Sequence, residues 1–75
     1  MTKLPVVRPA KVIKALERAG FYIHHSTGSH YILKSASDST LRIVVPFHNK
    51  DLKAGTLAAI IKQTGMSVDE FRKLL

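Results

Sequence analysis

The stretch FYIHHSTGSHYILKS, residues 21–35, decides the fold that we predict for this chain. Phe21 to His25 is rich in aromatic and β-branched residues and alternates as a strand does. Ser26 to Ser29 has the composition of a turn, and His30 to Ser35 returns as a second strand. The segment therefore predicts an antiparallel β-hairpin.

A third strand is predicted directly after the hairpin. Ala36 to Ser39 is a second turn-like cluster, and Thr40 to Val45 alternates again. Pro46 is expected to end this strand, because proline has no amide hydrogen to donate to the ladder. A polar loop, Phe47 to Lys53, follows it.

Two amphipathic helices flank the strands in sequence. Pro9 suits the first position of a helix over about residues 9–19, and Gly20 is a good helix stop. A second helix is expected from about Ala54 to Thr64, followed by Gly65.

The clearest local signal is a capping box, Ser67 and Glu70, which predicts a last short helix. Met66 and Phe71 have the spacing of the accompanying hydrophobic staple, and residues 1–8 are expected to form a loosely held arm. The predicted fold is α+β: an α-β-β-β-α order with a three-stranded antiparallel sheet, helices on one face and a short C-terminal helix, in a single domain of residues 1–75.

The composition favours a phosphate-rich partner. The chain has 75 residues, with 12 Lys and Arg against 5 Asp and Glu, which gives a net charge of +7. Such a basic balance in a folded domain is typical of a nucleic-acid binder. There is no cysteine, which excludes disulfides and thiolate metal sites, and no apolar run approaches the ~20 residues that span a bilayer. We expect a cytoplasmic protein.

The hairpin sequence suggests which histidines meet. A symmetric turn across Ser26 to Ser29 would place His25 opposite His30, with Ile23 opposite Ile32 and Phe21 opposite Lys34. His24 would then point to the other face, since strand side chains alternate.

The same alternation bears on two kinds of site. A zinc site needs three or four convergent ligands, but His24 and His25 are expected to diverge and no cysteine helps, so we predict no metal and no cofactor. A nucleophilic Ser29 activated by His30 is also disfavoured, because adjacent strand residues point to opposite faces.

Two segments carry a family resemblance. They are AGFYIHHSTGSHYI, residues 19–32, and VPFHNKDLKAGTLAAIIKQTGM, residues 45–66. Together they resemble the HicA family of small toxin ribonucleases. The resemblance implies a double-stranded-RNA-binding-domain-like fold, cleavage of mRNA, and neutralisation by a HicB-type antitoxin. It also implies that His30 is the catalytic histidine and that His48 occupies the family's V-P-x-H position.

The chain departs from the family beside this histidine. Relatives often carry Lys or Arg just before G-S-H and a second histidine after it, where this chain has Thr27 and Tyr31. We therefore expect the RNA to be held by residues both near and farther from His30, namely Gly28, Ser29, Lys34, Arg42, His48, Lys50 and Lys53.

Transesterification by histidine is the predicted chemistry. Histidine both takes and gives a proton near neutrality, so His30 would serve as general base or acid in a metal-independent endoribonuclease. His25 and His48 are candidates for a second catalytic group. The alternative function is a small RNA-binding module without hydrolytic activity.

Overall fold

The computed structural model describes residues 4–75, which form three helices and one three-stranded sheet. The elements are α1 (Pro9–Arg18), β1 (Phe21–Ser26), β2 (His30–Ser35), β3 (Arg42–Pro46), α2 (Ala54–Thr64) and α3 (Val68–Arg72). The predicted α-β-β-β-α order with a short C-terminal helix is confirmed.

The sheet has β2 at its centre and is antiparallel throughout, in the order β1-β2-β3. Leu33, Ile43 and Val45 are fully buried on the face that the helices cover, together with residues from all three helices. The opposite face carries the residues that alternate with these, and we call it the open face. The helices therefore leave one side of the sheet accessible.

Helix ends follow the local chemistry that the sequence indicated. Gly20 and Gly65 adopt positive φ values of 96° and 78°, which favour glycine after a helix. Before α3 both hydrogen bonds of the capping box form: the Ser67 hydroxyl accepts from the Glu70 amide, and the Glu70 carboxylate accepts from the Ser67 amide. Phe71 then lies fully buried beneath α3.

Both boundaries of β3 differ from the prediction, and β1 ends at Ser26 rather than His25. β3 begins at Arg42 rather than Thr40, because Thr40 is held in a turn by two hydrogen bonds from its amide and hydroxyl to the Asp38 carboxylate. Pro46 is the last residue of β3 instead of lying beyond it. Its position at the end of an edge strand is one that proline tolerates.

The N-terminal arm is more firmly held than predicted, in the part of it that is described. Val7 is buried in the core, Leu4 packs against the core, and the Leu52 amide donates to the Val7 carbonyl at 2.9 Å. Residues 1–3 of the predicted arm lie outside the described residues. Residues 4–8 thus fasten the start of the chain to the segment before α2.

The hairpin register predicted from a four-residue turn is wrong. His25 lies opposite Ile32, Ser26 lies opposite Tyr31, and the Thr27 amide donates to the His30 carbonyl at 2.8 Å. The connection is therefore the tight pair Gly28 and Ser29. Because this turn is shorter than the one assumed, every pairing near it moves along the strand.

A β-bulge then shifts the register again. The pairing changes between Ile23 and His25, so that Ile23 lies opposite Leu33, and Phe21 lies opposite Ser35 instead of Lys34. A bulge adds an unpaired residue and interrupts the alternation of side chains between the two faces. The predicted divergence of His24 and His25 depended on that alternation.

Candidate functional site

His30 is the first residue of β2 and is exposed at the turn end of the sheet. Thr27 fixes its backbone: the Thr27 hydroxyl accepts from the His30 amide at 3.2 Å, and the Thr27 amide donates to the His30 carbonyl. On its other side His30 pairs with Pro46 of β3. The backbone of His30 is thus positioned by both neighbouring segments while its ring faces solvent.

Ser29 contacts the ring of His30 directly. The Ser29 hydroxyl lies 3.0 Å from His30 Nδ1. Our expectation that the two side chains diverge is wrong, because Ser29 belongs to the turn rather than to β2 and escapes the alternation of a strand. The contact orients the ring so that Nε2 points away from the serine.

Gly28 is not required by the fold in the way that glycines in turns often are. Its φ is not positive, and a β-carbon added there would meet no atom within 4 Å. Within residues 4–75, the amides of Gly28 and Ser29 donate to no partner. The open space and the two N–H groups make the turn accessible to an anion.

The loop after β3 is tied to the same turn. The Phe47 amide donates to the Ser29 carbonyl at 2.8 Å, and the Phe47 ring packs on Tyr31 with centroids 4.6 Å apart. This anchoring brings the start of the loop, with His48, to the end of the sheet where His30 lies. The Lys50 amide donates to His48 Nδ1 at 3.2 Å, so that the proton of a neutral His48 ring sits on Nε2.

His24 and His25 come together at the bulge instead of diverging. Their Nδ1 atoms are 2.9 Å apart and their rings meet edge to face at 5.2 Å. One Nδ1 must donate and the other accept, so this hydrogen bond requires at least one ring to be neutral. In the part of the chain that is described, no three His, Cys, Asp or Glu side chains are grouped to hold a metal ion.

His25 is close to His30 but not directly opposite it. His25 pairs with Ile32, two residues along β2 from His30, and both histidines lie on the open face. Such diagonal neighbours are roughly 7–8 Å apart. His25 thus shares the open face with His30 but lies opposite Ile32, the next residue of β2 on that face.

The predicted basic residues divide into two groups. Lys34 on β2 and Arg42 on β3 lie directly opposite each other in the sheet. They stand at the other end of the open face, about 13 Å along β2 from His30. Lys50 is exposed in the loop that begins beside His30, and Lys53 is exposed at the start of α2. The structure therefore gathers Gly28, Ser29 and the His48 loop around His30 and leaves Lys34 and Arg42 apart.

Sequence reasoning missed Thr27, which holds the backbone of His30. The signal was a threonine one residue before glycine in a hairpin, where its hydroxyl can replace a backbone partner.

A separate cavity of about 290 Å³ lies elsewhere, lined by Lys11, Lys14, Arg18 and Leu75. Its lining residues come from α1 and the C-terminus, and none belongs to the hairpin turn or the loop after β3.

Comparison with known families decides the relationship. The model of the HicA toxin of bacterial toxin-antitoxin systems matches residues 9–66, which is well over half of the chain. The chain belongs to the HicA toxin family. A HicA toxin acts with an antitoxin, so an antitoxin is the partner that membership implies. The match includes the hairpin, the His48 loop and α2, and thus every part of the site around His30.

No curated protein gives a match to this HicA chain. Among the helices of residues 4–75, none is long and apolar enough to cross a membrane.

Proposed function

We propose that this HicA toxin is a ribonuclease that cleaves mRNA by histidine acid–base catalysis in the cytoplasm and is neutralised by a HicB-type antitoxin. The observation that carries the proposal is the setting of His30. Its ring is exposed, its Nδ1 contacts the Ser29 hydroxyl, and two unused amides lie beside it. A single positioned histidine of this kind contributes roughly 10²–10⁴-fold to a proton-transfer step.

The reaction is an internal transesterification of RNA. The 2′ oxygen attacks the adjacent phosphorus as His30 Nε2 takes the 2′-OH proton, and the bond from phosphorus to the 5′ oxygen breaks. The leaving 5′ oxygen receives a proton from a second acid, which gives a 2′,3′-cyclic phosphate and a 5′-hydroxyl. The amides of Gly28 and Ser29 would donate to the phosphoryl oxygens, where charge develops.

Ser29 supports both protonation states of His30. A neutral ring that takes a proton at Nε2 carries its own proton on Nδ1, and this Nδ1–H donates to the Ser29 hydroxyl oxygen. The ring protonated on both nitrogens keeps the same Nδ1–H donor. The serine therefore keeps the ring oriented before and after proton transfer. Its role in the proposal is to position His30.

The second acid is His25 or His48. His25 shares the open face with His30, and His48 lies in the loop that Phe47 fastens to the turn. A substrate with sulfur in place of the leaving 5′ oxygen needs little protonation as it departs, since a thiolate is a much weaker base than an alkoxide. The variant of the true acid, His25→Ala or His48→Ala, should therefore be slow on normal RNA and recover on the sulfur substrate.

Metal-independent chemistry fits the side chains around His30. The chain has only 5 Asp and Glu, and a two-metal nuclease needs a cluster of carboxylates to hold its ions. RNA contact by Gly28, Ser29, Lys34, Arg42, His48, Lys50 and Lys53 belongs to the same proposal.

A cleavage gel separates this proposal from a non-catalytic RNA-binding module. Wild-type protein incubated with a long RNA should produce fragments, and His30→Ala should produce none while keeping its circular dichroism spectrum and its RNA retention. Retention of intact RNA by the wild type, with no fragments at any time, would instead identify a binding module.

A further inference from the structure

The open face of the sheet carries three cross-strand rows of side chains. Directly opposed residues of neighbouring strands share a face. The first row joins Tyr22, Lys34 and Arg42; the second joins His25, Ile32 and Val44; the third joins His30 and Pro46. The rows form one continuous surface that ends at His30.

Exposed apolar side chains distinguish this surface from an ordinary solvated sheet face. Tyr22 is 45% exposed and Val44 is 37% exposed, although both are large and apolar. Ile32 lies on β2, between Tyr22 on β1 and Val44 on β3. It is buried, but it does not belong to the core cluster that the helices cover. Within residues 4–75, Tyr22 makes no ring contact with another aromatic side chain. An exposed ring on an apolar floor is a stacking surface for a planar ligand.

The charge of the surface is positive wherever it is charged. Lys34 and Arg42 stand in the same row as Tyr22, and none of the three rows contains an acidic residue. The acidic residue Asp38 lies outside the three rows, in the turn before β3. Its carboxylate accepts two hydrogen bonds from Thr40, which lower its pKa. An aromatic ring beside two cations matches the alternating base and phosphate of a nucleic-acid strand.

We infer that the open face binds single-stranded RNA and leads it to His30. The inference rests on the proposed ribonuclease function and adds the substrate class and the binding surface. Tyr22 stacks on a base, Lys34 and Arg42 contact the phosphates beside it, and Ile32 and Val44 support the next base. The phosphodiester beyond these bases then reaches His30.

The dimensions and the ring geometry favour a single strand over a duplex. His30 and Lys34 are four residues apart on β2, which spans about 13 Å. Aromatic residues on a comparable sheet platform stack two or three bases. In a duplex the bases stack on each other, so their faces are closed to Tyr22, and recognition is restricted to shape and the minor groove.

Binding is measured in a His30→Ala background, so that the RNA stays intact. The probes are a fluorescent RNA of about ten nucleotides and the same RNA annealed to its complement. The single strand should bind more tightly. Tyr22→Ala should weaken single-strand binding by about 5- to 150-fold, the range for loss of one stacked base, and Tyr22→Phe should restore it. Neither substitution should lower duplex binding as much.

Charge-neutralising pairs test the phosphate contacts. Lys34→Ala with Arg42→Ala removes two charges from the open face, and Lys11→Ala with Lys62→Ala removes two from α1 and α2 as a matched control. The first pair should flatten the log–log dependence of single-strand affinity on salt by about 1.4, at about 0.7 per phosphate contact. The control pair should change the slope less.

Three results would overturn the inference: equal affinity for single strand and duplex, unchanged single-strand affinity in Tyr22→Ala, or a larger effect from the α1–α2 pair. If Tyr22→Ala loses only antitoxin binding, the face belongs to that protein and the inference also fails. Cleavage by the protein with intact His30 is scored separately. If that protein produces fragments while Tyr22→Ala leaves single-strand affinity unchanged, the ribonuclease proposal holds and only the proposed binding surface is wrong.

Discussion

The hydroxyl of Ser29 governs how His30 presents its ring, because it lies 3.0 Å from Nδ1 and directs Nε2 toward solvent. Neither the contact nor its importance follows from the order of residues alone. A serine and a histidine that are adjacent in a strand would point apart, whereas the same pair at the junction of a turn and a strand can meet. Thr27 has a similar role for the backbone of His30.

Replacing Ser29 tests whether it positions His30 or reacts itself. Ser29→Ala should lower the rate of RNA cleavage by up to about 10²-fold, as expected when a catalytic group is misplaced by about an ångström. Ser29→Thr keeps a hydroxyl and should retain more activity than Ser29→Ala. Single-turnover rates with saturating protein measure the effect. Total loss in Ser29→Ala, equal to that of His30→Ala, would indicate that Ser29 is the nucleophile.

Gly28 and Gly65 offer a matched pair of glycine substitutions. Gly28→Ala should leave the melting temperature unchanged, because its φ is not positive and an added β-carbon meets no atom, yet it should slow cleavage by crowding the phosphate. Gly65→Ala should lower the melting temperature and leave the rate at saturating RNA unchanged, since Gly65 has φ +78° after α2. A destabilised Gly28→Ala would contradict the proposed reason for the glycine.

Among the elements, the hairpin shows where sequence patterns stop being sufficient. Its two strands were predictable because their alternation and composition are local properties. Its register was not, because the turn contains two residues rather than four and a bulge follows at Ile23 and His25. The turn length depends on the hydrogen bonds between Thr27 and His30, and the bulge depends on how β1 and β2 pair beyond the turn. The meeting of His24 and His25, and the position of His25 beside His30, were therefore inaccessible from the pattern.

The capping box at the start of α3 was predictable because both of its hydrogen bonds are local. Ser67→Ala should lower stability by about 1 kcal/mol, which corresponds to about 4–8 °C in melting temperature for a domain of this size. Thermal denaturation followed by circular dichroism measures it. A change under 1 °C would show that α3 is held by Phe71 alone.

The same box predicts a dependence of stability on pH. Hydrogen bonds from Ser67, assisted by Lys73, lower the pKa of the Glu70 carboxyl. A carboxyl whose pKa is lower in the folded protein stabilises it at pH values above the unfolded pKa, and that stabilisation is lost as the pH falls through the folded pKa. The melting temperature of Glu70→Gln should therefore change less than that of the wild type as the pH is lowered below about 4.5. Parallel curves for the two proteins would contradict this.

At the scale of the whole molecule, the two faces of the sheet differ in what covers them. The helices cover one face of a small sheet, and the other face remains open with His30 at its end. The net charge of +7 and the order of elements were predictable from the sequence. The distance of Lys34 from His30 was also predictable, since both lie in one predicted strand. The approach of the loop that carries His48 and Lys50 was not, because it depends on the hydrogen bond from the Phe47 amide to the Ser29 carbonyl.

Antitoxin binding should be visible in the stability of the entire toxin. A partner that binds only the folded state stabilises it by about 2.7 kcal/mol when its free concentration is 100 times Kd. Co-expression with the neighbouring open reading frame should give a complex with a higher, concentration-dependent melting temperature and no RNA cleavage. If that partner forms no complex with the toxin, the proposed HicB-type neutralisation is wrong.

The most direct test of the central claim is the chemistry of the RNA ends formed in excess EDTA. We predict that the wild type cleaves under these conditions and leaves 2′,3′-cyclic phosphate or its hydrolysis product with 5′-hydroxyl ends. A folded His30→Ala variant should leave the RNA intact. Mass spectrometry of the fragments identifies both ends. Loss of all cleavage in EDTA, restored by Mg²⁺ or Mn²⁺ with 3′-hydroxyl products, would contradict the account.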